Sequence, residues 1–167
     1  MDFIEELTWR GMVHDATPGA RERLRAGMAV GYAGFDPTAP SLQLGNLAAI
    51  MLLVHFQRAG HKPIALVGGA TGLVGDPSGK NEERRLKSPE EIQHNLERFE
   101  KQLRRFLDFD SGANAAEIVN NHDWFRDIGY LSFLRDVGKH LTIGYMLAKE
   151  SVQQRMEAGI SYTEFSY

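Results

Sequence analysis

The 167-residue sequence has no cysteine, which excludes disulfide staples and thiolate metal sites and fits a reducing, cytoplasmic setting. It also has no long apolar run. Its opening, MDFIEELTWRGMV, places acidic residues before the first basic one, so neither a signal peptide nor a membrane span is expected. Excess charge is nearly absent: 19 Lys and Arg stand against 22 Asp and Glu, a formal net charge of -3 with a pI near 6.1. A protein that coats nucleic acid by bulk electrostatics is therefore excluded, and any RNA contact must come from local patches. There is no internal repeat and no low-complexity linker. The six histidines (His14, His55, His61, His94, His122 and His140) never fall at paired ligand spacing on one helix, which leaves them to surface or packing.

What is present is enough for one ordered domain, with 43% hydrophobic and 25% charged residues, the balance of a folded core. Phe3, Ile4 and Leu7 recur at helical spacing and predict a short first helix ending near Gly11; a second starts around Pro18. AVGYAGF, residues 29–35, reads as a buried strand stopped by Asp36-Pro37-Thr38. Residues 45–59 form an apolar helix closing at Gly60, and KPIALVGG supplies the next strand. Strand, helix, strand is a βαβ unit with parallel strands and a right-handed crossover. GGATGLVGDPSGK has five glycines and reads as a loop without regular structure. Ser88-Pro89-Glu90-Glu91 is a helix start with a capping serine, and Ile92, Leu96, Phe99, Leu103 and Phe106 mark its apolar face. The opposite face, with Glu97, Lys101, Arg104 and Arg105, reads as solvated. AEIVNN is a third strand. Three or more short helices follow, the last with a capping box from Ser161 to Glu164. The expected fold class is α/β, a Rossmann-like open parallel sheet with flanking helices.

In such sheets ligands bind beyond the carboxyl ends of the strands, and two loops leave from those ends. The first runs from Gly34 through Asp36 and Thr38 to Gln43-Leu44-Gly45-Asn46 and ends at a helix N-terminus, where free N–H groups and the helix dipole favour a phosphate. The second is the glycine-rich segment ending at Lys80. It is not a Walker A loop: only three residues separate Gly75 from Gly79-Lys80, and Asn81 follows where Ser or Thr is needed.

YAGFDPTAPSLQLGNL, ALVGGATGLVGDPSGK, FLRDVGKH, AKESV and ISYTEFSY, in this order and spacing, resemble the bacterial tyrosyl-tRNA synthetases along essentially the whole chain. The resemblance implies activation of tyrosine with ATP and its transfer to tRNA(Tyr), with magnesium accompanying ATP. It also implies substrate-binding roles. Tyr32 matches the family tyrosine that meets the substrate phenol, Asp76 and Tyr167 match residues near its ammonium, and Thr71 and Asn121 match its polar neighbours. Gly34 and Gly45 match positions crowded by the nucleotide, Asp36 a ribose- or backbone-organising position, and Thr38 a phosphate-binding hydroxyl. Lys80 and Arg84 match cations that engage pyrophosphate, while Arg85 and Lys87 read equally as surface charge. A homodimer through the region around Tyr162 is implied as well.

Two departures stand out. The family motif His-x-Gly-His is here Gln43-Leu44-Gly45-Asn46; both amides keep N–H donors, but neither can carry the charge of an imidazolium. A catalytically impaired paralogue that only binds tyrosine or nucleotide is therefore the alternative reading. The chain also ends at Tyr167, inside a helix whose later turns complete tyrosine recognition in the family. Residues 1–167 are thus expected to be the N-terminal part of a nucleotide-binding catalytic domain. The lysine-rich ATP loop and the anticodon-binding and C-terminal RNA-binding domains are absent from it.

Overall fold

Two successive crossovers set the architecture. The computed structural model describes residues 1–37, 39–74, 88–156, 159–162 and 165. Strand β1 (Val30–Phe35) leads through helix α3 (Leu44–Arg58) to β2 (Lys62–Val67), and β2 leads through α4 (Gly69–Val74) and α5 (Pro89–Leu103) to β3 (Glu117–Asn120). Both strand pairs are parallel, in the order β1-β2-β3, with Phe35 beside Val67 and Val67 beside Asn120. Two right-handed crossovers stepping in the same direction place their helices on the same face of a sheet. The core has that composition: Phe35, Ala65 and Val67 of the sheet cluster with Ile50, Leu53 and Val54 of α3 and with Phe99 and Leu103 of α5.

Ahead of β1 stand α1 (Phe3–Trp9), N-capped by the Asp2 carboxylate accepting from Glu5 N at 2.9 Å, and α2 (Ala20–Arg25). α5 starts with the expected reciprocal cap, Glu91 N donating to Ser88 Oγ at 3.2 Å and Ser88 N to Glu91 Oε2 at 3.1 Å. After β3 come α6 (His122–Phe125), α7 (Tyr130–Asp136), a 3₁₀ turn (Gly138–His140), α8 (Ile143–Leu147) and α9 (Glu150–Met156). The capping box reaching Glu164 lies outside the described residues.

The structure corrects two expectations. β1 is present, but it is buried on one face only: Val30 and Tyr32 are 61% and 71% exposed while Phe35 on the alternate face is 2% exposed. A run of apolar and small residues hides this alternation, because Gly31, Ala33 and Gly34 give no polar contrast. The second correction concerns the glycine-rich segment, in which Gly69–Val74 form α4. Its start is held from outside, as the Asn121 side chain accepts the Ala70 N–H; tertiary contacts override the low helix propensity of Gly69 and Gly72.

Candidate functional site

Three strand ends converge. The ladder extends one step past the strands, Gly68 N donating to Phe35 O and Asn121 N to Val67 O, both at 3.0 Å. That brings Asp36, the start of α4 and Asn121 to one level at the carboxyl edge of the sheet, the usual ligand position of an open parallel sheet.

A directed hydrogen-bond chain joins them. A backbone N–H can be accepted only by oxygen, so the 2.7 Å bond from Ala70 N fixes the Asn121 amide with Oδ1 toward α4. Its Nδ2 must then be the end that donates to Thr71 Oγ1 at 3.4 Å. The Thr71 hydroxyl in turn donates to Asp36 Oδ1 at 3.0 Å. With its one hydrogen spent on Asp36, Thr71 faces any further partner as an acceptor. Asn121 is 8% exposed and cannot turn over without leaving two polar groups unpaired. A Cβ at Gly68 would overlap Asp36 Oδ1 and Thr71 Oγ1, so this position has to lack a side chain.

The first loop ends at α3. Gln43 N donates to Asn46 Oδ1 at 2.9 Å, and Asn46 N to Gln43 O at 2.9 Å. The same reasoning fixes the Asn46 amide, leaving Nδ2 as its remaining polar end. No acidic residue stands in the first turn of α3, which keeps its positive dipole end uncompensated. Gly34 and Gly45 have ordinary negative-φ backbone, and a Cβ at either would meet nothing within 4 Å. Nothing among the described residues requires glycine at these two places.

The structure therefore brings together Asp36, Thr71 and Asn121, and sets Gln43, Gly45 and Asn46 at the mouth of α3. Tyr32 stands apart on the open sheet face, four residues before Asp36 along β1, about 13 Å at the usual strand rise. Thr38, Asp76, Lys80, Arg84 and Tyr167 lie outside the described residues. Among the described residues no group of three His, Asp or Glu gathers to hold a metal, and no helix is long and apolar enough to cross a membrane.

Sequence reasoning missed two residues that hold the first loop. Asn95 of α5, 5% exposed, donates from Nδ2 to Pro37 O at 2.9 Å, and Gln102 Oε1 accepts from Leu42 N at 2.9 Å. Both sit seven residues apart on the stripe of Ile92, Phe99 and Leu103. Polar residues inside an apolar stripe were the available signal, since buried amides need partners.

Comparison with known proteins agrees with this geometry. Residues 26–167 match the family model for class I tRNA synthetases (W and Y). The chain is 64% identical over 166 residues to a tyrosine--tRNA ligase of Amoebophilus asiaticus and 61% identical over 166 residues to that of Cytophaga hutchinsonii. Each alignment covers 99% of this chain and 39% of the relative, so the chain spans about two-fifths of their length. A C-terminally truncated Aspergillus nidulans mitochondrial tyrosyl-tRNA synthetase superposes with a TM-score of 0.84 at 32% identity, over 99% of this chain and 51% of that one. A Coccidioides posadasii counterpart superposes with a TM-score of 0.79 at 27% identity, over 100% of this chain and 48% of that one. The three-stranded parallel sheet with its flanking helices thus has the fold of these synthetases, and the chain belongs to the class I tRNA synthetases of the W and Y group.

Proposed function

We propose that this chain is the N-terminal part of the catalytic domain of a tyrosine-tRNA ligase, which activates L-tyrosine with ATP and transfers it to tRNA(Tyr) in the cytoplasm. The observation that carries the reading is the fixed direction of the Asn121–Thr71–Asp36 chain. An acceptor hydroxyl backed by a carboxylate suits a substrate ammonium and disfavours a substrate carboxylate. The amino acid's carboxylate is thereby turned away, toward the mouth of α3.

The nucleotide would lie over the start of α3. Among the described residues nothing requires glycine at Gly34 or Gly45. A ligand backbone or ribose pressed against them supplies the reason. Gln43 and Asn46 would donate to ATP oxygens with Thr38, while Lys80 and Arg84 would balance the charge of departing pyrophosphate. A tyrosine carboxylate oxygen bonds to the α-phosphorus as its bond to the bridging oxygen breaks, giving tyrosyl-adenylate and pyrophosphate. Tyr32, Asp76 and Tyr167 complete the tyrosine subsite in this reading. Magnesium would travel with the triphosphate, which with water would supply most of its ligands. The extended protein would pair as a homodimer through the region around Tyr162.

One observation favours a second reading, a paralogue that binds without reacting: Gln43 and Asn46 stand where the family motif has histidines. Tyrosine-dependent ATP–pyrophosphate exchange separates the two, measured on a protein that continues this sequence to the full length of its relatives. Exchange well above background supports the ligase. Tyrosine binding by calorimetry without exchange supports the paralogue, and neither binding nor exchange sinks both.

A further inference from the structure

Asn120, the last residue of β3, has no place in the substrate contacts above, yet it makes a contact that only one residue type allows. Its Oδ1 accepts the His122 N–H at 3.0 Å, tying the side chain to the start of α6. The edge of the same amide abuts Gly69, the first residue of α4: a Cβ there would overlap Oδ1 and come within 2.9 Å of both Cγ and Nδ2. Gly69 has a negative φ, so its backbone does not require glycine. The neighbour does. Two residues on, Thr71 meets Asp36 and Asn121, and one residue on, Ala70 N reaches Asn121.

We propose that Asn120 is a positioning residue: its amide, seated on Gly69, sets the height of α4 over the sheet and so places the Thr71 hydroxyl for the substrate ammonium. This rests on the ligase reading given above. α4 is a single six-residue stretch with two glycines and has little stability of its own. Its position is therefore dictated by what touches it: Asn120 and Asn121 at its first two residues, Asp36 at Thr71, and Pro37 and Ile92 beside Gly72. Asn121 pulls on the Ala70 N–H; Asn120 is the floor against which it is pulled. Open space borders the contact, since Gly69, Asn120 and His122 also line a cavity of about 500 Å³. The tie to His122 N–H is what keeps the amide from swinging into it.

The test uses Gly69→Ala, Asn120→Ser and the double variant in the extended protein. Alanine for glycine within a helix is ordinarily stabilising, so harm from it is diagnostic. Gly69→Ala is expected to raise KM for tyrosine about tenfold or more, because displacements near 1 Å in a substrate-positioning group cost up to about a hundredfold, while KM for ATP changes less than about twofold. Asn120→Ser keeps an acceptor for His122 N–H but withdraws from Gly69, so the double variant is expected to return to within about threefold of the parent. An unchanged tyrosine KM in Gly69→Ala, or a double variant no better than the single, overturns the proposal. If the unsubstituted protein shows no exchange, the ligase reading fails separately. The interlock is then judged by amide hydrogen exchange at Ala70, which should quicken in Gly69→Ala and slow again in the double variant; unchanged exchange overturns it.

Discussion

Thr71 has one hydroxyl hydrogen, and Asp36 takes it. Thr71→Val keeps the shape and deletes the hydroxyl, which takes the acceptor from Asn121 Nδ2 and one donor from Asp36. The expected cost is about 1–3 kcal/mol in urea unfolding, with Thr71→Ser recovering most of it; equal midpoints for valine and threonine would mean the chain carries no energy. Two buried histidines give a second prediction. His55 and His61 are 3% and 5% exposed, and both have pKa values below the ordinary 6.5. For each, burial is the leading cause: Arg10 and Arg58 add to it against Glu6 for His55, and Arg23 adds to it against Asp2 for His61. His61 also accepts the Ala29 N–H at 3.2 Å through Nδ1, which needs the neutral ring. The folded protein thus holds both neutral, while the unfolded chain takes up protons below about pH 6.5. Stability is complete above that pH and falls as the pH drops through it. Among the described residues His55 Nδ1 has no hydrogen-bond partner, so His55→Leu is expected to stabilise by about 1 kcal/mol and to flatten the acid-side decline; a steeper decline would contradict the assignment. At this scale Asp36 and Thr71 fall inside the motif blocks, and Asn121 is singled out by the family resemblance alone. Asn95 and Gln102 were not legible, because a polar residue on an apolar stripe reads as an imperfection until its partner on a distant loop is seen.

Elements with their own local signals were read correctly. α5 carries a capping box, a proline at its first position and an apolar stripe, and it begins at Pro89 as expected. α4 was read as loop because glycine content is a local signal, whereas its stabilisation is not local: Asn121 accepts at its first turn, and Gly72 packs within 3.0 Å of Pro37 and 3.5 Å of Ile92 when given a Cβ. The half-exposed β1 was misread for a similar reason, since what covers a strand face is decided elsewhere in the chain. α5 also has a task beyond the core, holding Pro37 through Asn95 and Leu42 through Gln102. Asn95→Leu leaves the Pro37 carbonyl unpaired in a buried site and is expected to cost about 1–3 kcal/mol. Because that loop leads to Gln43 and Asn46, KM for ATP should rise in the same variant while KM for tyrosine changes less. The opposite ordering would show that α5 supports the tyrosine side instead.

Across the whole molecule, the helices α3 and α5 occupy one sheet face, and parallel sheets are rarely left open on the other. Here Val30 and Tyr32 project from β1 at 61% and 71% exposure, and Leu131 and Ile143 of the later helices are 78% and 68% exposed. β1 is also an edge strand, paired with β2 alone among the described residues, which leaves a row of backbone groups open to another strand. The relatives are more than twice as long as this chain, and a protein extended to their length would have further chain with which to cover the open face and edge of β1. Val30→Glu tests this without touching a proposed site residue. In the 167-residue chain, where position 30 is exposed, the change should move the unfolding free energy by no more than about 0.5 kcal/mol. In the extended protein the same glutamate would be buried without a partner and should cost about 3 kcal/mol or more. Equal small effects in both would show that the face stays in solvent, so that Tyr32 could not lie in an enclosed substrate pocket.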